Sequence, residues 1–225
     1  MASNSSINED KQIQWLENGI AKNYINYYDY NEFKNIQYIN SGKFNNEDTN
    51  YLLILEYADS GTLGEFLKNN FSRLDWNMKS QFAIQIAGAV SCLHENDIIH
   101  CDLHSNNILV HQNILKLADF GLSRRLAEVS TQKGIFGVIP YIDPQYFQTR
   151  TNNNKSYCYK PNKKSDIYSV GVLLWEISSG RRPFNSYNSY QRPTKLILEI
   201  FKGKRETPIP NTPIDYINIY KSINV

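Results

Sequence analysis

Two short polar motifs lie near the middle of this sequence, on either side of two apolar runs. The first reads His-Cys-Asp-Leu-His-Ser-Asn-Asn at residues 100–107, and the second reads Asp-Phe-Gly at residues 119–121. The apolar runs, at 108–110 and 114–117, are separated by a turn at Gln112-Asn113. Two β-rich runs joined in this way predict a hairpin, because Asn tolerates the left-handed backbone that tight turns require. The two motifs are therefore expected at the same end of a small sheet.

The register of this hairpin decides which polar side chains meet. If the residues that flank the turn pair with each other, Ile108 faces Leu117, and Asn107 and Asp119 leave the ladder close together. Both carry oxygen donors of the kind that Mg²⁺ binds. A third residue, Asp102, could orient a hydroxyl nucleophile, so the three side chains together indicate phosphoryl transfer. The alternatives are that Asp102 is an ordinary loop aspartate and that the other two are turn residues at the hairpin ends.

The motifs resemble the catalytic loop and the metal-binding loop of eukaryotic protein kinases. A lone Asp-Phe-Gly carries little information, but His-x-Asp-x-x-x-x-Asn at the family's distance from it is a specific signal. The stretch at 102–109, Asp-Leu-His-Ser-Asn-Asn-Ile-Leu, is most similar to the tyrosine-kinase-like branch, which mostly phosphorylates serine and threonine. The resemblance covers residues 36–220. It implies an α+β fold with a mostly helical lower lobe and a reduced β upper lobe.

The resemblance also implies which residues act on the reacting groups, and it implies ATP and Mg²⁺ as cofactors. Asp102 would accept the proton of the substrate hydroxyl, and Asn107 and Asp119 would hold magnesium. His104 stands where serine/threonine kinases commonly carry lysine. A contact with phosphate and a solvated loop position are both open for His104, whose imidazole offers only part of a lysine's charge near neutral pH.

Five residues would bind the nucleotide if it lies as it does in the family. The adenine would stack between Ile39 above and Leu109 below, and its edge would bond to the hinge backbone at Glu56 and Ala58. Gly42 would belong to the loop over the phosphates, where glycine lets the backbone approach them closely.

The sequence is too short to contain all the strands and the helix that the upper lobe of the family has. Asn40 and Asn45 occupy two of the three glycine positions of the phosphate loop, and only Asn45–Asn50 separates that loop from the hinge-side strand at Tyr51. So short a stretch cannot hold further strands and a helix of several turns. The family's phosphate-binding lysine and its glutamate partner therefore have no counterpart. Two hypotheses follow: an ATP-dependent serine/threonine kinase whose activity is weakened or absent, or a pseudokinase or truncated module that only binds partners.

Helices are predicted from apolar spacing and from end signals. A segment that is apolar on most sides is expected in the core. The resemblance implies that Asp166, at the start of that segment, braces the backbone of the catalytic loop. The predicted helices are Leu63–Lys68, a helix from the N-cap Asp75 to Asn96, a core helix over Ile167–Ile177 that ends at Gly180, and a helix after Thr212-Pro213 with Ile214, Ile217 and Tyr220 on one face.

Several positions depart from the family pattern. Cys101 replaces the arginine that pairs with activation-loop phosphate, and Asp-Pro-Gln at 143–145 replaces Ala-Pro-Glu. Activation through that arginine is therefore not expected. Among the histidines, His100 is expected to hold the loop by hydrogen bonds, whereas His94 and His111 are expected to be inert.

Composition narrows the remaining possibilities. A formal net charge of +2 is too small to indicate nucleic-acid binding, and the 3 cysteines show no metal-ligand spacing, which favours a reduced, cytoplasmic protein. The polar start is no signal peptide, and no apolar stretch is long enough to span a membrane. We expect an N-terminal extension at 1–35, disordered and then helical, and a kinase-like domain at 36–225, incomplete at its upper lobe and C-terminus. Its partner would be a protein; the oligomeric state is left open.

Overall fold

The structure is a computed structural model, and the residues that it describes belong to the compact unit Leu55–Val225. The predictions for the extension 1–35, for the upper lobe and for Ile39, Gly42 and Glu56 lie outside the described residues. The described residues are 57–129, 137–147, 150–152, 155–157, 159–187 and 193–223.

The described part is mostly helical, with strands that pair only as small antiparallel ladders. Strand β1 pairs with β4, β2 with β3, and β5 with β6. None of the described helices is long and apolar enough to cross a membrane. The predicted α+β class with a mostly helical lower lobe is confirmed. In chain order the elements are α1 (Leu63–Asn70), α2 (Trp76–Glu95), β1 (Ile98–Ile99), β2 (Ile108–His111), β3 (Ile114–Leu117), β4 (Arg124–Arg125), β5 (Arg150–Asn152), β6 (Lys155–Tyr157), α3 (Lys163–Ser179), α4 (Pro193–Phe201) and α5 (Ile214–Ile223).

The hairpin between the two polar motifs has the predicted register. Ile108 pairs with Leu117, and the two residues that flank the turn, at 111 and 114, pair with each other. Gln112 and Asn113 adopt φ values of 49° and 62°, which is the left-handed pair that a two-residue turn of this hand requires. The ends of β2 and β3 therefore place the two motifs side by side.

The helices begin at side chains that accept hydrogen bonds from the first turn. Thr62 and Glu65 form a capping box at α1, and Asp75 accepts a bond of 2.8 Å from the backbone N–H of Met78 at α2. Helix α2 ends at Asn96, as predicted. Helix α1 continues two residues beyond the predicted Lys68, since no breaker follows that position.

Helix α3 forms the centre of the core. It begins at Lys163, earlier than predicted, because Asn162 accepts a hydrogen bond from the backbone N–H of Lys164. Every residue from Tyr168 to Ser179 is buried, so the prediction of a core helix is confirmed. It packs against α2 on one side and α5 on another, and this arrangement leaves its N-terminal end beside the catalytic motif.

Helix α5 buries only part of the predicted face, and it also buries Tyr216. Tyr216 and Tyr220 are buried and Ile217 is partly buried, whereas Ile214 is 65% exposed. The two tyrosine rings are one helical turn apart and fill the space beside α3, where the Tyr216 hydroxyl donates to the carbonyl of Leu174 at 3.0 Å. The prediction for Ile214 was wrong because the larger aromatic rings take the inward positions.

Gly180 ends α3 at a place where no side chain fits, and this gives a testable prediction. Its φ is +64°, and an added Cβ would lie 2.3 Å from the ring of Phe71. We expect Gly180→Ala to lower the free energy of unfolding by about 2–3 kcal/mol, because left-handed strain adds to the clash. Gly88 is exposed within α2, and no described atom lies within 4 Å of its added Cβ. As the matched control, Gly88→Ala should raise the unfolding free energy by about 0.5–1 kcal/mol. Urea denaturation measures both; the same sign for the two variants would contradict the argument.

Candidate active site

A short 3-10 turn at Ser105–Asn107 folds the first polar motif back on itself. The backbone N–H of Asn107 donates to the carbonyl of His104 at 2.9 Å. The side-chain Nδ2 of Asn107 then donates to Asp102 twice, to its carbonyl at 3.0 Å and to its Oδ2 at 3.3 Å. Because Nδ2 points at Asp102, the amide oxygen of Asn107 faces away from that carboxylate and can serve a cation.

Asp119 joins this pair through the backbone. The N–H of Ala118 donates to the carbonyl of Asn107 at 2.9 Å, and Asp119 follows with a left-handed φ of 57°. Its Oδ1 accepts from the backbone N–H of Gly121 at 3.1 Å, and an added Cβ on Gly121 would lie 3.0 Å from that oxygen. The structure thus brings Asp102 and Asn107 into contact and Asp119 to the same end of the hairpin.

The donor set can be tested against magnesium. Within the described ranges, no three His, Cys, Asp or Glu side chains gather as a metal site. The amide oxygen of Asn107 and the exposed carboxylate of Asp119 are hard donors, however, and Mg²⁺ is commonly held by one or two carboxylates together with waters and substrate phosphates. The residues therefore fit an ion that is bound together with a nucleotide better than one held by the protein alone.

His104 is buried against the candidate base, so the solvated alternative for this residue was wrong. Its Nε2 lies 3.4 Å from Oδ1 of Asp102, and its ring centroid lies 6.0 Å from that of Tyr141. A carboxylate only accepts hydrogen bonds, so Nε2 carries the proton. The hydrogen bond from His104 is the main reason that the pKa of Asp102 is lowered, although burial opposes it. An ionised Asp102 accepts a hydrogen bond from a hydroxyl but is a weak base, which suits an orienting role.

Asp166 braces the catalytic loop, as the resemblance implied. Its oxygens accept hydrogen bonds from the backbone N–H groups of His100 and Cys101, both at 2.9 Å. His94 contributes a third contact, because its Nε2 lies 2.8 Å from Oδ2 of Asp166. The expectation that His94 is inert was therefore wrong. One carboxylate on α3 holds two consecutive peptide groups immediately before Asp102.

The first two side chains of the motif, those of His100 and Cys101, have structural roles. The Nε2 of His100 lies 3.2 Å from the carbonyl of Ala118 and its ring lies against that of Phe120, so His100 ties the catalytic loop to the metal-binding loop as predicted. Burial lowers its pKa. Burial is also the main cause that raises the pKa of the Cys101 thiol to about 12, with the charge of Asp166 adding to it. The thiol therefore stays protonated and unreactive.

Of the predicted nucleotide contacts, Ala58 and Leu109 lie on adjacent segments. The backbone N–H of Ser60 donates to the carbonyl of Val110 at 3.1 Å, and the N–H of Val110 donates to the carbonyl of Gly61 at 2.9 Å. The chain that follows Ala58 therefore runs beside the strand that carries Leu109. The residue that pairs with Leu109 is Thr62 and not Ala58, so the shared nucleotide contact stays a prediction.

A buried carboxylate behind the catalytic loop was not found from the sequence. Glu176 on α3 is 1% exposed; it accepts a hydrogen bond of 2.9 Å from the hydroxyl of Ser105 and a second one from the hydroxyl of Tyr141. Burial raises its pKa, and the two hydroxyl bonds oppose that shift. The available signal was a glutamate inside an otherwise apolar helix, because such a residue must find hydrogen-bond donors in the core.

Comparison with known families agrees with this arrangement. Residues 27–222 match the family model described as protein tyrosine and serine/threonine kinase. Because that match covers most of the sequence, the chain belongs to the eukaryotic protein kinase family.

Individual relatives show which kinases the chain is similar to. The chain is 41% identical over 138 residues to a leaf rust 10 disease-resistance locus receptor-like protein kinase-like 1.3 of Arabidopsis thaliana, a match that covers 58% of this chain and 18% of that protein. It is 35% identical over 142 residues to calcium/calmodulin-regulated receptor-like kinase 1 of the same plant (61% and 30%). It is 32% identical over 170 residues to stress-activated protein kinase alpha of Dictyostelium discoideum (71% and 25%). The chain thus spans less than a third of each relative. The receptor-like kinases among them agree with the tyrosine-kinase-like branch.

Proposed function

We propose that this chain transfers phosphate from ATP to serine and threonine hydroxyls of proteins, at a rate lower than that of a complete kinase. The observation that supports this most is the hydrogen bond from the amide of Asn107 to Asp102, with Asp119 brought beside it by the bond from Ala118 to Asn107. Such a transfer needs, in one place, a group that accepts the hydrogen of the substrate hydroxyl and two oxygen donors for magnesium. We take residues 36–225 as the kinase domain and 1–35 as an extension. The described cysteines, Cys92 and Cys101, are free thiols, which suits a reducing cytoplasm.

The roles follow from the contacts. Ionised Asp102 would accept the hydrogen of the substrate hydroxyl and direct its oxygen, and His104 would hold that carboxylate in place. Asn107 and Asp119 would hold Mg²⁺, which, when bound, neutralises charge on the phosphates. Chemistry of this type depends mostly on positioning and on charge stabilisation.

A low rate follows from the missing lysine. No residue between the phosphate loop and the hinge-side strand can replace it, because only Asn45–Asn50 lies there. Losing one preorganised donor raises a barrier by about 3–4 kcal/mol, which is a rate loss of roughly 10²–10³. The same gap favours a second candidate function, in which the domain binds a partner protein and transfers no phosphate. The two candidates differ in turnover but can share nucleotide binding.

Nucleotide binding can be tested through the metal donors. At a Mg-ATP concentration about 100 times Kd, the native chain should gain roughly 2.7 kcal/mol and unfold about 5–10 °C higher. Asp119→Asn replaces a charged magnesium donor by an uncharged amide oxygen, and a tenfold weaker affinity would reduce that gain to about half. Asp97→Asn is the matched control, because Asp97 also has a left-handed φ, of 55°, and is exposed.

Differential scanning fluorimetry with and without Mg-ATP measures these shifts. The control should shift as much as the native chain does. An equal shift for Asp119→Asn would contradict its role as a donor. Absence of any shift in the native chain would favour a module that does not bind nucleotide.

A further inference from the structure

The segment 137–147, here called the acceptor segment, lies beside the candidate base. Gly137 has a φ of +98°, and an added Cβ there would be 3.0 Å from Oδ1 of Asp102. Further along, the hydroxyl of Ser169 on α3 donates to the carbonyl of Tyr141 at 2.7 Å. The acceptor segment therefore forms one wall of the pocket beside Asp102, so a displacement of this segment would change the space that is open to a substrate hydroxyl.

A chain of hydrogen bonds ties the acceptor segment to the start of α3. The backbone N–H of Asn162 donates to the Ser165 hydroxyl at 2.9 Å. The hydroxyls of Ser165 and Tyr159 lie 2.8 Å apart, and Tyr159 donates to Oδ2 of Asp143 at 2.8 Å. Since the carboxylate can only accept, Tyr159 uses its proton there and Ser165 must donate to Tyr159. All three bonds then run in one direction, and we call this series the hydroxyl relay; bonds in such a series strengthen one another.

The hydroxyl relay ends at a carboxylate that is committed to the acceptor segment. Asp143 is 9% exposed, and its other oxygen accepts from the backbone N–H of Gln145 at 2.9 Å. Burial raises the pKa of the Tyr159 hydroxyl, so it remains a donor throughout the neutral range. The ring of Tyr159 also packs edge-on against that of Tyr146, with centroids 5.6 Å apart. The ring and the hydroxyl therefore make separate contacts, which a change to Phe can separate.

Among the described residues, neither lysine nor arginine lines the pocket between the catalytic loop and the acceptor segment. Cys101 carries a protonated thiol. In the part of the chain that the structure describes, Asp143 accepts hydrogen bonds from uncharged donors, the hydroxyl of Tyr159 and the backbone N–H of Gln145.

We propose that Tyr159 is a positioning residue for the protein substrate: through Asp143 it holds the acceptor segment beside Asp102 without any phosphorylation of the chain. The effect on transfer rests on the proposed kinase function. The holding of the segment does not, and it can be measured in a chain that transfers no phosphate at all.

Hydrogen–deuterium exchange of the full chain, after phosphatase treatment, tests the holding directly. Tyr159→Phe keeps the ring and removes the hydroxyl, so peptides that cover 137–147 should exchange about tenfold faster, corresponding to roughly 1.4 kcal/mol. Tyr216→Phe is the matched control, because it removes another buried hydroxyl bond, to the carbonyl of Leu174, outside the relay. The control should leave exchange at 137–147 unchanged. Unchanged exchange in Tyr159→Phe, or equal acceleration in both variants, would overturn the proposal.

A second variant protects the test against misfolding and examines the coupling. Asp143→Asn keeps the shape of the acceptor but removes its charge, and exchange at 137–147 should again accelerate. The double variant Tyr159→Phe/Asp143→Asn should exchange less than about twofold faster at 137–147 than Tyr159→Phe alone, because both changes break the same series of bonds. Fully multiplicative effects would show that the two residues act separately and would overturn the relay.

Kinetics then separate the proposal from the proposed function. In Tyr159→Phe, KM for a serine/threonine peptide should rise about three- to tenfold, whereas KM for ATP and the Mg-ATP thermal shift stay unchanged. An unchanged peptide KM would overturn the positioning role. If the native chain shows no transfer, the kinase function fails, and the exchange measurements alone decide whether Tyr159 holds the segment.

Discussion

Replacing Asp102 by asparagine is expected to lower phosphoryl transfer by about 10²–10⁴-fold. The change removes the charge that accepts the hydrogen of the substrate hydroxyl. It also leaves the Nδ2 of Asn107 and the Nε2 of His104, which contact Asp102 at 3.3 Å and 3.4 Å, facing an uncharged and weaker acceptor. The charged acceptor at residue 102 is lost and the new side chain is held less firmly, so the variant should mainly lower kcat.

The measurement is incorporation of radiolabelled γ-phosphate into a serine/threonine peptide by the native chain and by Asp102→Asn. Asp97→Asn, a change at an exposed aspartate outside the site, should keep the native rate. Because Asp102 is not one of the proposed magnesium donors, its variant should keep the Mg-ATP thermal shift. Equal incorporation above background by both chains would refute the role of Asp102. Background incorporation by the native chain would leave the binding module as the better account.

Replacing Asp166 by alanine is expected to lower the free energy of unfolding by about 3–5 kcal/mol, because a buried carboxylate is removed from its donors. Asp166 is 1% exposed. The N–H groups of His100 and Cys101 would lose their acceptor, and the ring of His94 would lose its partner.

Urea denaturation followed by circular dichroism measures this loss. Asp215→Ala is the matched control: Asp215 is exposed in the first turn of α5, where a carboxylate stabilises the helix by less than about 1 kcal/mol. A loss for Asp166→Ala no larger than that of the control would show that water replaces the carboxylate. The brace on the catalytic loop would then carry little energy.

What could be predicted from the sequence was mostly local. The hairpin register follows from a two-residue turn, and the starts of α1 and α2 follow from capping side chains at Thr62 and Asp75. The spacing of the two motifs predicted that Asp102, Asn107 and Asp119 lie at one end of the hairpin, because the ladder between them is short and its geometry is fixed.

The residues that sequence reasoning missed act across long separations. His94 meets Asp166 over 72 positions, and Ser105 meets Glu176 over 71. No period or cap signals such a contact, because it depends on how α2 and α3 pack. The exposed Ile214 of α5 has a related cause: Tyr220 of the predicted face is buried, but its neighbour against α3 is Tyr216 and not Ile214.

The peptide groups ahead of Asp102 are held by a carboxylate on α3, the most deeply buried of the described helices. Conformational stability and the proposed phosphoryl transfer would therefore be linked in this protein. A substitution that shifts the middle of that helix, even one far from any reacting atom, would displace the loop that carries Asp102 and so lower the rate of transfer. Selection for turnover and selection for folding would then act on the same interior positions.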